Sequence, residues 1–190
     1  MTPQLTHHRM SFSFPAQNEP VWAAKVDRWY QLDACAYGLS QAWWQLKESL
    51  GPRPAFLILA SPGASNETDL AFARSGAISP SKFVHTLPNV RASALCQVMD
   101  WAGPMLCLQN GSRTLLGGIR EGAGLLSPQW PRIWVMSMTS DGAGHYETHV
   151  FVLSADETLA GPARFDLKQV IAQKSEDPYF IAWLTGKDSN

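Results

Sequence analysis

The sequence predicts an α/β domain in which a layered sheet is flanked by helices. Three observations predict this class. The run AFLILA at 55–60 is wholly apolar and has the length of a strand buried on both faces. Segments with apolar residues at helical spacing precede and follow it. Two strand-like runs between residues 133 and 153 are joined by a polar turn that contains glycine, as in a hairpin.

The first elements lie in residues 1–50. Residues 1–9 are polar, and we expect them to be frayed. The alternating run MSFSF at 10–14 is a candidate first strand. A helix over 21–50 is indicated by an apolar stripe at spacings of three and four, and it stops at Gly51–Pro52.

The middle of the chain alternates strands and helices. After the strand at 55–60, a loop rich in capping side chains precedes a short helix that ends at Arg74. A further helix is predicted at Ala92–Met99 and a short strand at Met105–Leu108. The helix at Ser112–Leu126 contains four glycines after its first residue, so it requires close packing to be stable.

The last elements are two strands and a tail. Ile133–Met138 and Thr148–Leu153 are predicted as a hairpin or an adjacent pair. Asp166–Ala172 and Pro178–Thr185 close the chain as short helices or as an extended tail.

The whole chain of 190 residues fits one domain with a sizeable core. We divide it into an N-terminal arm (1–20), a main domain (21–160) and a C-terminal tail (161–190). Hydrophobic residues make up 45% and charged residues only 16%, and eight residues are tryptophan. Such a composition fits either a Trp-rich core or a surface that a second subunit covers.

Charge and cysteine usage exclude some classes of protein. A net charge of −1 without a basic cluster argues against nucleic-acid binding. Three cysteines, an odd number without a CxxC pair, are typical of free thiols in a reducing compartment. We find no leader and no apolar run of membrane-spanning length, and we therefore expect a cytoplasmic protein.

Metal and nucleotide sites are not predicted. The glycines of GGIREGAG lie inside a helical pattern and do not follow a strand, and no phosphate-binding loop motif occurs. His145 and His149 lack a third ligand, and His7–His8 lies near the terminus. We therefore expect no cofactor and no metal.

Two side chains are candidate nucleophiles. Ser112 follows Gly111 at a strand-to-helix turn, where backbone amides would favour negative charge. Because no base is visible in the sequence, we favour a helix cap or first-turn residue over a nucleophile for Ser112. Cys107 lies within the strand MLCL, which is typical of a small buried residue.

Residues 79–112, SPSKFVHTLPNVRASALCQVMDWAGPMLCLQNGS, resemble the N-terminal half of β-ketoacyl synthases, which have the thiolase-like fold. The similarity is greatest to the short, ketosynthase-like proteins of type II fatty acid, polyketide and aryl polyene systems. The motifs are Ser79–Pro80, Phe83, Pro88–Asn89 and Gly103–Pro104, which match in order and spacing. The resemblance extends over about residues 55–155 and implies half of a thiolase-like fold.

The departures from that family decide the implied function. Its nucleophilic cysteine lies nine residues after the glycine of the Gly-Pro motif, and here that position is Ser112. Its two catalytic histidines belong to motifs that this chain lacks. The resemblance therefore implies that this chain has no catalytic residue. It implies a chain-length-factor-like subunit whose partners are a full-length ketosynthase and an acyl carrier protein. By resemblance, the interface and acyl tunnel would involve Phe83, His85, Asn89, Cys107 and Ser112, with the helix from Val90 to Met99.

Three alternatives remain open at this stage. His85 is either a polar group of the tunnel or a structural histidine. The chain could be a free-standing acyltransferase or hydrolase that uses Ser112 or Cys107. It could also be a scaffold that binds the acidic carrier protein through scattered basic residues. Those residues are Arg74, Lys82, Arg91, Arg113 and Arg120.

Overall fold

The fold is a six-stranded mixed sheet with helices on both faces, which confirms the predicted α/β class. The computed structural model describes residues 3–62, 66–74, 76, 87–155 and 163–186. The strands are β1 Gln4–Ser13, β2 Phe56–Ala60, β3 Met105–Leu108, β4 Arg132–Ser140, β5 His145–Ser154 and β6 Arg164–Asp166. The helices are α1 Ala34–Leu50, α2 Asn66–Arg74, α3 Pro88–Met99, α4 Thr114–Leu125, α5 Leu167–Ile171 and α6 Asp177–Thr185.

The strand order is β3-β2-β4-β5-β1-β6. The strands β3, β2 and β4 are parallel, as helical crossovers require. The strands from β4 to β6 are antiparallel. The predicted hairpin is confirmed, since β4 and β5 pair through a turn in which Gly142 and Gly144 take positive φ angles.

Side chains alternate along the strands and so supply two separate cores. Leu57 and Leu59 of β2 face α1 and α3, whereas Ile58 and Ala60 face α4, α5 and α6. Three of the tryptophans are buried in the first core: Trp22, Trp43 and Trp134. Trp183 on α6 is 45% exposed. The buried tryptophans are therefore covered by this chain itself, whereas Trp183 remains available at the surface.

The expectation that residues 1–9 are frayed is wrong from Gln4 onward, and residues 1–2 lie outside the described residues. The strand β1 pairs with β5 from Gln4 to Ser13, and it also pairs with β6 from Gln4 to Thr6. The candidate strand at 10–14 is confirmed as far as Ser13. Its earlier half was missed because Thr6, His7 and His8 are buried polar side chains. His7 is buried beside His149, and the buried ring of His8 contacts the hydroxyl of Thr6.

The predicted helix over 21–50 is correct only from residue 34 onward. Asp33 caps α1, because its Oδ1 accepts a hydrogen bond of 2.7 Å from the N–H of Ala36. Residues 21–33 instead form short 3₁₀ turns, and Arg28 between them takes a φ of 54°. Trp22 and Val26 are nevertheless buried. Their burial explains why the apolar pattern continued beyond the helix.

Other helix starts also shift. The helix α3 begins at Pro88 rather than Ala92, since proline is well suited to a first helical position. The helix α4 begins at Thr114, after a 3₁₀ turn at Gly111–Arg113.

The tail forms two helices that pack on this chain itself. Phe180 and Leu184 of α6 and Val170 of α5 are buried in the second core, against α4 and the sheet. The tail therefore covers a face that would otherwise be exposed. No helix of the described residues is long and apolar enough to span a membrane.

Candidate functional site

The candidate site is the sharp turn between β3 and α4. The strand β3 ends at Leu108, and the chain reverses through Gly111, whose φ is 52°. A side chain at that φ would be strained, so glycine is the natural residue there. Ser112 is the next residue, inside the 3₁₀ turn. The structure therefore places Ser112 at the strand-to-helix elbow.

Ser112 itself is exposed, and no described residue hydrogen-bonds to its hydroxyl. The described histidines all lie on β1 and β5. Two strands separate β5 from β3, a distance of about 14 Å at the usual strand spacing. No described histidine therefore lies within reach of Ser112, and no described side chain accepts a hydrogen bond from its hydroxyl. A serine without a hydrogen-bonded base is a weak nucleophile.

The side chain that holds the elbow together is Thr114. Its buried Oγ1 accepts a hydrogen bond of 2.6 Å from the N–H of Asn110. The same hydroxyl donates to the carbonyl oxygen of Gly111 at 2.7 Å. One threonine thus fixes both sides of the turn.

The first amides of α4 are occupied by a carboxylate from the tail. Asp177, at the start of α6, accepts hydrogen bonds from the N–H of Leu115 at 2.7 Å and of Leu116 at 3.1 Å. Arg113, which precedes α4, supplies no side-chain cap. Asp177 is only 5% exposed, and this burial raises the pKa of its carboxyl despite the two bonds.

This contact changes what the elbow can do chemically. A helix N-terminus stabilises a thiolate or an oxyanion only when its amides are free to face that charge. Here an internal carboxylate already takes two of them. A second anion at the same helix end would be repelled by Asp177.

Cys107 is not a reactive thiol in this structure. It lies in β3 opposite Leu59, and its half-buried side chain packs against the core that faces α1 and α3. Burial raises its pKa, and the neighbouring Cys96 raises it further. The thiol therefore stays protonated at neutral pH. Ser112 precedes α4, which covers the opposite face of the sheet, so the two candidate nucleophiles are not brought together.

The remaining residues assigned by resemblance are only partly described. Phe83 and His85 lie outside the described residues. Asn89 lies in the first turn of α3, and only its backbone is described.

The predicted interface helix, from Val90 to Met99, buries most of its apolar side chains within this chain. Val90, Ser93 and Gln97 form a narrow, more exposed stripe at helical spacing. Beside the stripe, a hollow of about 420 Å³ is lined by Cys96 and Gln97 together with Trp101.

Some of the basic residues considered for carrier-protein binding make contacts within this chain instead. Arg91 pairs with Asp33 at 2.8 Å and joins α3 to the start of α1. Arg120 donates hydrogen bonds to the carbonyl oxygens of Ile171 and Gln173. Lys82 lies outside the described residues. Two of the five cations are thus committed to contacts within the chain.

Sequence reasoning missed Asp177, Thr114 and the buried histidines of the sheet. An acidic residue before a proline at a helix start is common, so the sequence carries no sign that Asp177 reaches another helix. His145 and His149 share a strand face, yet they have different partners. His145 contacts Ser13, and His149 contacts His7. Among the described ranges, no three side chains converge as metal ligands would.

Comparison with known proteins identifies the fold. No protein-family model and no curated protein matches the sequence. A chain of the complex between a ketosynthase (ApeO) and its chain length factor (ApeC) from Xenorhabdus doucetiae superposes with a TM-score of 0.57 at 13% identity. That match covers 82% of this chain and 80% of the other, so the two chains are similar in length.

A second solved structure is similar as well. It is the ishigamide ketosynthase/chain length factor, with a TM-score of 0.54 at 17% identity. The match covers 75% of this chain but 48% of the other, so this chain spans about half the length of that relative. At such identities the likeness establishes the fold. The half-thiolase, ketosynthase-like architecture expected from the sequence is confirmed at that level.

Proposed function

We propose that the chain is a non-catalytic, chain-length-factor-like subunit that pairs with a full-length ketosynthase. The observation that carries the proposal is the elbow. It keeps the strand-turn-helix geometry of a nucleophile site, yet Ser112 has no described base, and the buried Asp177 occupies the helix amides behind it. An elbow built this way supports a partner rather than a reaction of its own.

The solved relatives support the pairing. Both are described as a ketosynthase with a chain length factor, and one of them contains a chain of similar length. In the proposed pair, this chain shapes the end of the acyl tunnel, and the ketosynthase supplies the thiolate and the histidines. Phe83, His85 and Asn89 remain the residues that we propose for the shared surface.

The edge of the sheet offers a plausible contact for the ketosynthase. Among the described residues, β3 pairs with β2 alone, so one edge of β3 lacks a strand neighbour. This edge, MLCL, carries no charge that would discourage pairing. Leu87, which is 43% exposed, and the stripe of Val90, Ser93 and Gln97 on α3 extend the same candidate surface.

The pathway and compartment belong to the proposal too. We propose that the pair elongates chains on an acyl carrier protein in the cytoplasm. Aryl polyene or related type II polyketide synthesis is the pathway that the resemblance favours.

The test is co-expression with a full-length ketosynthase, followed by size-exclusion chromatography and intact-mass analysis with an acyl donor. We expect a one-to-one complex in which the acyl group is found on the ketosynthase alone. A Ser112→Ala variant should form the same complex and support the same rate of product formation. Removing the cysteine nucleophile of the ketosynthase should abolish product formation.

The opposite outcomes are equally distinct. Acyl mass on this chain that disappears in Ser112→Ala or Cys107→Ala would make it an acyltransferase or hydrolase. Carrier-protein binding without any ketosynthase complex would favour the scaffold. A chain that ignores both partners would refute the proposal.

A further inference from the structure

The open end of the sheet contains a cavity that the proposed function does not use. The strand β6 pairs only with Gln4–Thr6. The N–H of His7 then donates to the carbonyl oxygen of Ala163 at 3.2 Å. Next to this point lies a cavity of about 520 Å³, which we call the β1 cavity. This volume falls within the range of small-molecule sites.

The β1 cavity extends around the edge of β1 and therefore touches both faces of the sheet. His7 lies on the face covered by α6, which contributes Leu184. His8 lies on the other face, where α1 contributes Leu46 and Ser49. The cavity thus combines apolar walls with imidazole and hydroxyl groups.

A chain of hydrogen bonds fixes which ring nitrogen of His7 carries its proton. The Thr139 hydroxyl donates to the carbonyl oxygen of Glu147 at 3.5 Å. That hydroxyl therefore accepts from Nε2 of His149 at 3.3 Å, and the Glu147 carboxylate lies 3.4 Å from the same nitrogen. Nε2 of His149 is thus protonated, and its Nδ1 accepts from Nε2 of His7 at 3.1 Å.

The consequence is an unpaired acceptor on His7. With Nε2 donating, Nδ1 of the neutral ring holds a lone pair, and no described residue hydrogen-bonds to it. His7 is 5% exposed and lines the cavity. Burial keeps the ring neutral by lowering its pKa to about 3. Nδ1 of His7 is not fully enclosed by protein, so a ligand in the cavity that brings a hydrogen-bond donor can reach its lone pair.

Arg9 gives the cavity a positive charge that favours an anionic group on the ligand. It lies two residues along the same strand face as His7, about 7 Å away at the usual rise. Its guanidinium is about half exposed and contacts Glu147 at 3.5 Å, a long surface pairing that contributes little. Arg9 also lines the cavity, so a cation stands close to the lone pair of His7.

We propose that the β1 cavity binds a short hydroxy acid. Its hydroxyl donates to Nδ1 of His7, its carboxylate pairs with Arg9, and its carbon chain lies against Leu184. The site lies at the β1 end of the sheet, whereas the elbow follows β3 at the other end. The proposal therefore does not depend on the proposed function.

The test uses three probes on the isotope-labelled full chain, with binding followed by backbone chemical shifts. β-Hydroxybutyrate has both groups, butyrate lacks the hydroxyl, and the methyl ester of β-hydroxybutyrate lacks the charge. We expect saturable shifts at His7, Arg9 and Leu184 with the hydroxy acid. Butyrate should bind about tenfold more weakly because one hydrogen bond is lost. The ester should bind about two- to fivefold more weakly because one exposed ion pair is lost.

Two variants separate the roles. Arg9→Gln, at a half-exposed position, should fold normally and lose the preference for the acid over the ester. His7→Phe keeps an aromatic ring stacked on Phe151 and should lose the preference for the hydroxy acid over butyrate. His145→Gln, an exposed histidine outside the cavity lining, is the control and should bind as the parent does.

Three results would overturn the proposal. If β-hydroxybutyrate at millimolar concentration caused no saturable shifts, the cavity would hold solvent only. Equal binding of butyrate would remove the role of His7. Unchanged selectivity in Arg9→Gln would remove the role of Arg9.

Discussion

Single residues at the elbow show how the same local geometry can serve structure instead of chemistry. Ser112 stands at the exposed turn without hydrogen bonds to described residues, whereas Thr114 beside it is buried and makes two. Asp177 completes the arrangement from another helix. A residue at the place of a nucleophile is therefore less informative than the groups that surround it.

Replacing Asp177 tests that reading. Asp177→Ala leaves the N–H groups of Leu115 and Leu116 buried without an acceptor, and we expect a loss of roughly 2–4 kcal/mol in the free energy of unfolding. Asp177→Asn keeps one acceptor and should lose about half as much. Urea unfolding measures both. Glu176→Ala, at the exposed neighbouring position, is the control and should change stability by less than about 0.5 kcal/mol.

If Asp177→Ala unfolded at the same urea concentration as the parent, its contact with α4 would be incidental. The elbow would then be open to an external anion, which would weaken the argument against catalysis.

At the scale of elements, the small residues of α4 explain how a poor helix former is stable. A Cβ at Gly118 would lie 3.0 Å from Cγ1 of Val135 and 3.1 Å from Cβ of Ala60. The helix therefore lies closer to β2 and β4 than any larger residue would permit. Gly124 faces open space, where a Cβ would meet nothing within 4 Å.

This difference gives opposite expectations for two similar substitutions. Gly118→Ala should destabilise the chain by about 1–2 kcal/mol, because overpacking against the sheet outweighs the better helix propensity. Gly124→Ala should stabilise it by about 0.5 kcal/mol through propensity alone. Thermal unfolding compares the two. Equal effects would show that α4 does not need its close approach to the sheet.

The sequence predicted the features that are encoded by neighbouring residues and missed those that depend on distant contacts. The strand at 55–60 and the hairpin were predictable because apolar runs and glycine turns specify them directly. Residues 10–13 of β1 were predictable from their alternation, but residues 4–9 were not, since the partner that makes His7 tolerable in the interior lies on β5. The role of Asp177 was equally invisible, because the cap and the capped helix are joined only in the folded chain. The position of Ser112 was predictable from spacing, but its surroundings were not.

At the scale of the whole molecule, the buried histidines make stability depend on pH. Burial lowers the pKa of His7 to about 3 and that of His149 to about 4. The groups that face His7 are His149, His8, Arg9 and Glu147, of which only Glu147 favours its protonated form. Because the unfolded chain binds these protons more tightly, stability is complete above about pH 6.5 and is lost as pH falls towards 4.

Each of these two histidines should contribute a loss of about 2 kcal/mol between pH 7 and pH 5. Asp177 works in the opposite direction, because burial raises its pKa, and it offsets part of this loss. Urea unfolding at both values of pH measures the sum. His149→Asn retains an acceptor near Nδ1 without the titrating ring, and it should flatten the dependence. A parent chain equally stable at both pH values would contradict the burial of the pair.

The pairing of β1 has a consequence for how the chain emerges from the ribosome. This strand is made first, yet both of its neighbours, β5 and β6, are made late, and the contact between His7 and His149 spans 142 residues. Until β5 has been synthesised, β1 has no partner strand and its polar interior face has no cover. The strand β1 must therefore wait until its partner on β5, 142 residues further along at His149, has been made, and folding should be slow and sensitive to chaperones.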